Sequence, residues 1–170
     1  MIDIGLLDIG FIGNFEHNLD PKNRVFIPRK FREALGESFI IRVKPSRHPK
    51  IECFTEKAFA ERVQTEVAQY EDELMRERML FASCSNASQV TVDSQGRICI
   101  PAKILEQSHI TKECLFIGMG PCVQIWRPEI HDEYYNEISA EYVAEEDASL
   151  GLAESKRRAK RATTADVAGE

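Results

Sequence analysis

Residues 19–30 read LDPKNRVFIPRK, and the chain repeats this stretch at residues 92–103 as VDSQGRICIPAK. Asp, Arg, Ile, Pro and Lys return at matching places in the two copies. A repeated segment of this kind is one supersecondary unit that cannot bury its apolar face alone. The sequence therefore predicts two structurally similar halves that pack on each other.

Each copy has the sequence of a tight turn followed by a short strand and a short helix. Asp20 and Asp93 open the turns, since an Asp carboxylate accepts hydrogen bonds from backbone N–H groups two residues on. Asn23 and Gly96 tolerate the left-handed conformation that closes such a turn. Strand-forming residues follow each turn, and a proline then suits the start of a helix. We therefore predict a strand, a tight turn, a second strand and a short helix in each copy.

Each copy is predicted to continue as a β-hairpin. The apolar segments 39–43 and 51–54 flank a turn rich in proline in the first copy. In the second copy, segments 114–117 and 122–126 flank the turn Gly-Met-Gly-Pro. Apolar strands separated by such turn residues are typical of hairpins.

Helices are predicted after both hairpins. Residues 51–95 lack Gly and Pro, and apolar side chains recur there at helical spacing, which indicates one long or two consecutive helices over about 55–82. A shorter helix over about 128–141 follows the second hairpin. Hairpin units followed by helices, twice along the chain, favour an α+β fold over a parallel α/β sheet.

Composition limits the class of protein. The 170 residues are 43% hydrophobic and 29% charged, enough to form one domain or two small interlocked ones. No apolar run approaches the ~20 residues that span a bilayer, and the opening residues lack the basic leader of a signal peptide. Four of the five cysteines lie in apolar, strand-like runs and are expected to be buried in a reducing cytoplasm: Cys53, Cys99, Cys114 and Cys122. The scattered His and Cys residues predict neither a metal site nor a cofactor.

Charge is segregated along the chain. Residues 20–50 hold nine Lys and Arg against three Asp and Glu, although the formal net charge of the whole protein is −6. Residues 129–147 contain eight acidic residues and no Lys or Arg. Attraction to phosphate is local, because salt screens it beyond about 8 Å. The first copy is therefore the predicted nucleic-acid-binding face.

Four motifs form a combined pattern: F-x-G at 11–13, L-D-x-K-x-R at 19–24, I-P at 27–28 and D-x-x-G-R at 93–97. This pattern resembles the bacterial MraZ family, whose two halves are each similar to the AbrB-type DNA-binding module. This resemblance implies an α+β protein with two pseudo-symmetric swapped-hairpin β-barrel halves and appended helices. It also implies a cytoplasmic, nucleoid-associated transcriptional regulator of the cell-division and cell-wall gene cluster. Such a protein binds repeated G-rich boxes in double-stranded DNA, including those of its own promoter, as a ring-shaped homo-oligomer.

The resemblance also implies which residues contact DNA. They are Lys22 and Arg24 in the first copy and Arg97 in the second. The full set of candidate DNA-binding residues also includes Arg29, Lys30 and Gln95, and the turn-forming residues are Asp20, Asn23, Asp93 and Gly96. Asn23 stands where the family usually has Gly, and Gln95 stands where the first copy has Lys22. Because the second turn lacks that cation, we expect Arg24 to dominate DNA binding and Arg97 to be secondary or mainly structural.

The predicted organisation has six segments. They are an N-terminal extension (1–13), a first AbrB-like repeat (14–58), connecting helices (59–86), a second AbrB-like repeat (87–130), a C-terminal helix (131–142) and a disordered tail (143–170). The tail carries the basic cluster KRRAKR, which is either a solvated segment or an auxiliary, non-specific DNA contact.

Two other functions were weighed against DNA binding. An enzyme is not predicted, because the chain lacks a P-loop and the motifs G-x-G-x-x-G, H-E-x-x-H and G-x-S-x-G. A single D-x-x-G-R turn is usually only a hairpin connector. Two such turns in register, together with a basic first half, favour DNA recognition. The alternative is an oligomeric structural or partner-binding scaffold, which would not need Arg24 and Arg97 on matched turns.

Overall fold

The computed structural model describes residues 10–166, with side chains described as far as Leu152. It divides into two compact units, of which the first ends at His131 and the second begins at Asp132. None of the helices in this described part of the chain combines the length and the apolar composition needed to span a bilayer.

The described residues form eight strands and five helices. The strands are β1 (Asn14–Asn18), β2 (Arg24–Phe26), β3 (Ser38–Val43), β4 (Ile51–Phe54), β5 (Ala87–Thr91), β6 (Arg97–Cys99), β7 (Glu113–Gly118) and β8 (Val123–Trp126). The helices are α1 (Arg29–Leu35), α2 (Glu56–Ala68), α3 (Glu73–Ser85), α4 (Ala102–Ser108) and α5 (Pro128–Asp166). The first copy runs β1-β2-α1-β3-β4 and the second runs β5-β6-α4-β7-β8, which confirms the α+β class.

The two short helices begin in the same way. Pro28 precedes α1, and its carbonyl accepts hydrogen bonds from the N–H groups of Phe31 and Arg32 at 2.9 and 3.0 Å. Pro101 precedes α4, and its carbonyl accepts hydrogen bonds from the N–H groups of Ile104 and Leu105 at 2.9 and 3.1 Å. A proline is tolerated at a helix start because the N–H it lacks would have no partner inside the helix.

The strands of the two copies pair with one another. The larger sheet has six antiparallel strands in the order β1-β7-β8-β4-β3-β5, and a separate two-stranded ribbon pairs β2 with β6. The first strand of each copy therefore pairs with the third strand of the other, as β1 with β7 and β5 with β3. A closed barrel is not among the described sheets, because β1 and β5 lie at opposite ends of the larger sheet and each has a single neighbour.

One apolar core serves both copies. Val25 and Ile98 face each other across the ribbon and are both buried, as are Phe31 on α1 and Ile104 on α4. Buried side chains of the large sheet complete the same cluster. Neither copy could bury these side chains alone, as the repeat in the sequence predicted.

A buried cluster of charges ties α2 to the large sheet. Arg42 on β3 donates from Nε to Oε2 of Glu52 at 3.0 Å, and its two terminal nitrogens donate to Glu66 on α2 at 2.9 and 2.8 Å. The Arg42 side chain is only 2% exposed and lies over the rings of Phe54 and Phe59. Arg42 is thus one of the nine cations of residues 20–50, but it is not available to a ligand at the surface.

The segment between the copies forms two helices rather than one, an alternative that the sequence left open. Asp72 ends the break between α2 and α3, because its side chain accepts a hydrogen bond from the Met75 N–H at 2.9 Å. Such N-terminal capping satisfies a backbone donor that has no partner inside the helix. Thr55 caps α2 in the same way, through Ala58 at 3.2 Å.

Two expectations from the sequence were wrong. Segment 143–170 was expected to be disordered, but α5 continues through its described part to Asp166. The segment is rich in the strong helix formers Ala, Glu, Lys and Arg and contains only one Gly and no Pro before that point. Cys99 was expected to be buried but is exposed, because its side chain lies on the outer face of the ribbon while its neighbours Ile98 and Ile100 point inward.

Candidate nucleic-acid interface

The first turn (residues 20–23) is organised by the carboxylate of Asp20. Its Oδ1 atom accepts hydrogen bonds from the N–H groups of Lys22 at 2.8 Å and Arg24 at 3.0 Å, and its Oδ2 atom accepts from Nε of Arg24 at 2.6 Å. Asn23 closes the turn with a φ of 58°. Burial raises the pKa of Asp20, but the hydrogen bonds from Arg24 and Lys22 outweigh this and hold the pKa below its usual value.

The second turn (residues 93–96) has the same construction. Oδ1 of Asp93 accepts hydrogen bonds from the N–H groups of Gln95 and Arg97, both at 2.9 Å, and Oδ2 accepts from Nε of Arg97 at 2.9 Å. Gly96 closes this turn with a φ of 82°. The backbone and side-chain hydrogen bonds from Arg97 lower the pKa of Asp93. Each turn therefore presents one arginine in an orientation fixed by its own aspartate.

The ribbon brings the two turns into one structure. Because β2 and β6 are antiparallel, with Arg24 opposite Cys99, each turn lies beside the end of the other copy's strand. The Ile27 N–H donates to the carbonyl of Gly96 at 3.0 Å, and the Ile100 N–H donates to the carbonyl of Asn23 at 2.9 Å. The turns thus lie at the two ends of a three-residue ribbon, which is about 10 Å long.

The two turn arginines differ in exposure. The Arg24 side chain is 33% exposed, whereas that of Arg97 is 16% exposed. Arg97 also lies over the ring of Phe26, at 5.8 Å from its centroid. Phe26 itself is 48% exposed on the ribbon, and it was not among the residues singled out from the sequence.

The remaining candidate residues are exposed around these turns. Lys22 is on the first turn, Gln95 is on the second, and Lys30 is in the first turn of α1. Arg29 is also exposed, but its Nε atom donates to Oε1 of Glu33 at 2.8 Å. The structure therefore groups these side chains around the ribbon, and the carboxylates of both turns are already occupied by N–H donors rather than available as metal ligands.

One cation beside the second turn was missed by reasoning from the sequence. The guanidinium of Arg32 on α1 lies directly over Gly96. The repeat hides this relationship, because the residue that corresponds to Arg32 in the second copy is Leu105. The only signal for this contact in the sequence is that position 96 is Gly whereas the corresponding position 23 is Asn.

The doubled turn, ribbon and short helix define a class of small two-repeat α+β proteins. A family model described as "MraZ protein, putative antitoxin-like" matches residues 11–79 and 84–152, which contain the first and second copies. The transcriptional regulator MraZ of Clostridium tetani (strain Massachusetts / E88) is 34% identical over 144 residues, covering 84% of this chain and 99% of the relative. The protein of the same name from Thermoanaerobacter sp. (strain X514) is 36% identical over 137 residues, covering 79% and 94%. The chain belongs to the MraZ family.

Proposed function

We propose that the protein is a sequence-specific DNA-binding transcriptional regulator of the cell-division and cell-wall gene cluster. It acts in the cytoplasm on the nucleoid, binds repeated G-rich boxes that include those of its own promoter, and is not an enzyme. The relatives' name, transcriptional regulator, supports the general role. The resemblance to the MraZ family described above supports the assignment to the cell-division and cell-wall gene cluster.

The observation that carries this proposal is the placement of two matched arginine turns at the ends of one ribbon. A two-stranded β-ribbon is one of the elements that the DNA major groove admits. Arg24 is held by Asp20 and is still one-third exposed, which supports assigning it the reading of a guanine edge. The exposure of Lys22 supports assigning it a phosphate contact. A scaffold without DNA binding would have no need for this repeated geometry.

Assembly into a ring supplies the affinity that one subunit lacks. Each subunit offers only a few cations at the ribbon, and the protein as a whole has a net charge of −6, so a single subunit binds weakly. Several subunits on evenly spaced boxes gain about 10²–10⁴ in affinity from effective concentration. Four exposed apolar side chains on α3 support contact between copies: Leu74, Met75, Leu80 and Phe81.

Titration of duplexes with one box and with several boxes tests the proposal. The boxes are taken from DNA upstream of the protein's own gene, and a scrambled duplex of equal length is the control. We expect tighter binding to the multi-box duplex than to the single box, and weaker binding to the scrambled duplex. Equal affinity for all three duplexes would contradict sequence-specific, multivalent recognition and would favour the scaffold alternative.

A further inference from the structure

The second turn lacks a cation that the first turn has. Lys22 of the first turn corresponds to Gln95 in the second, so the repeat predicts a weaker phosphate contact there. In the folded chain, however, Arg32 reaches the second turn from α1 of the first copy. A Cβ atom built on Gly96 would lie 1.7 Å from Nη1 of Arg32. The guanidinium therefore occupies space that is open only because residue 96 has no side chain.

The second copy has no arginine at the position of Arg32 that could pack on the first turn in the same way. Asn23 stands in the place of Gly96 and carries a side chain, and Leu105 stands in the place of Arg32 and is buried. At these two pairs of corresponding positions, 22 with 95 and 32 with 105, each turn consequently has one cation. At the first turn that cation is Lys22, which belongs to the turn itself. At the second turn it is Arg32, which comes from the first copy.

Arg32 differs from the neighbouring arginines in having no acidic partner. Arg24, Arg29 and Arg97 are each ion-paired with an Asp or Glu four residues away. No hydrogen bond or ion pair to the Arg32 side chain occurs among the residues that the structure describes. A guanidinium has five N–H donors in a fork that matches phosphate oxygens. Those of Arg32 are uncommitted.

The surroundings of Arg32 are open to a ligand. The side chain lines a surface cleft of about 610 Å³, whose other lining residues are Glu33, Gly36, Glu37, Val92, Asp93, Ser94 and Gly96. Asp93 is already bonded to Arg97, so it does not compete for Arg32. Besides Asp93, two more residues of the second turn, Ser94 and Gly96, line this cleft.

We infer that Arg32 is a DNA-backbone contact of the second turn and replaces in space the lysine that this copy lacks in sequence. The inference rests on the DNA-binding function proposed above and names a further residue of that surface. It also assigns a reason to the difference between the two turns. Gly96 is needed where an arginine packs on the turn, whereas Asn23 suffices where none does.

The test compares Arg32→Leu, which copies Leu105, with Lys57→Leu as a control of equal charge. Lys57 is 87% exposed on α2, outside both turns and outside the proposed contact face of α3, and its substitution removes the same charge. We expect Arg32→Leu to weaken binding to specific and scrambled duplexes alike, by about fivefold per engaged subunit at 0.15 M salt. The salt dependence should become shallower by about 0.9 per engaged subunit. Lys57→Leu should leave the salt dependence unchanged.

Two further variants separate a DNA contact from a structural role. Gly96→Asn copies Asn23 and displaces the guanidinium without changing the charge of the protein, so it should weaken binding as Arg32→Leu does. Adding Gln95→Lys to Arg32→Leu should restore both affinity and salt dependence. Melting temperatures are measured for every variant.

The outcomes are distinguishable. If the wild-type protein binds DNA but Arg32→Leu matches Lys57→Leu in affinity and salt dependence, the inference is wrong and the proposed function stands. A lowered melting temperature with an unchanged salt dependence would assign Arg32 to packing alone and would also overturn the inference. If the wild-type protein binds no duplex, the proposed function fails and Arg32 has no such role.

Discussion

The Nη1 atom of Arg97 lies 3.8 Å from the Oδ2 atom of Asp20, so the arginine of the second turn reaches the carboxylate of the first. Arg97 is also bonded to its own Asp93, with Nη2 2.9 Å from Oδ2. It is therefore held by acids of both copies. Arg24 is bonded to Asp20 through Nε and keeps twice the exposed fraction, 33% against 16%. This asymmetry supports the expectation that Arg24 dominates DNA recognition.

Substitutions of Arg24 and Lys22 are expected to have different effects. Arg24→Ala should cost about 1–3 kcal/mol of discrimination and flatten the preference among sequences, because a bidentate contact to guanine is lost. Lys22→Ala should weaken all duplexes alike and make the salt dependence shallower by about 0.9 per engaged subunit. Binding curves on specific and scrambled duplexes at several salt concentrations measure both. If Arg24→Ala kept the full preference for the specific duplex, another residue would have to read the bases.

Gln95→Lys in the otherwise wild-type protein is expected to strengthen binding. It adds to the second turn the cation that Lys22 provides in the first, which should steepen the salt dependence by about 0.9 per engaged subunit. Arg97→Ala and Arg24→Ala are measured in the same assay, and Arg97→Ala should weaken DNA binding less than Arg24→Ala does. If Gln95→Lys had no effect and the two alanine variants were equally damaging, our ranking of the two turns would be wrong.

Acid should remove the stabilisation that Asp93 provides. Its pKa is lowered from the usual value of 3.8 by hydrogen bonds that form only in the folded state. A carboxyl group whose pKa is lower in the folded state than in the unfolded state stabilises the protein at pH values above the unfolded-state pKa. This stabilisation is lost as the pH falls through the folded-state pKa. The difference in unfolding free energy between wild type and Asp93→Asn should therefore be largest near neutral pH and shrink below about pH 3.8.

Denaturant unfolding of both proteins across this pH range measures the difference. Asp147→Asn, an exposed position on α5, corrects for the general effect of removing one negative charge. A difference between wild type and Asp93→Asn that stays constant down to pH 2 would contradict a stabilising role for the ionised carboxylate.

Removing Arg42 should destabilise the protein strongly. Arg42→Met leaves the buried Glu52 without its cation and leaves Glu66 with only the exposed Lys44, whose Nζ lies 3.4 Å from Oε1 of Glu66. Breaking a buried ion pair in this way typically costs about 3–5 kcal/mol of unfolding free energy. Arg29→Met is the matched control, because Arg29 forms an exposed pair with Glu33 and such pairs contribute about 0–1 kcal/mol. Urea unfolding measures both variants. Equal losses would mean that the buried cluster contributes no more than a surface pair.

The apolar face of α3 should be needed for assembly. Phe81 is 73% exposed, so Phe81→Glu should change the unfolding free energy of the isolated subunit little. It should oppose assembly, because a charge would then be buried between copies. Light scattering after gel filtration is expected to show a smaller oligomer. Met119→Glu, with the same change at another exposed apolar side chain, should keep the wild-type mass. An unchanged mass for Phe81→Glu would exclude this face from the subunit interface.

Several features of the fold could be predicted from the sequence because they depend on nearby residues. Asp20 and Asp93 bond to N–H groups two and four residues away, and the residues that close their turns have positive φ. The short helices begin directly after Pro28 and Pro101. The repeat further predicted that the copies pack together, since neither could bury its apolar face alone.

Other features were decided only by the tertiary structure. Antiparallel pairing of β2 with β6 places each turn beside the other copy's strand and leaves Cys99 exposed, whereas a single strand of alternating residues does not specify its partner. Burial removes Arg42 from the surface, and packing of α1 places Arg32 on Gly96. Local hydrogen bonding therefore sets the turns from the sequence alone. The side chains that surround each turn depend on contacts between distant segments, which no spacing within one copy reveals.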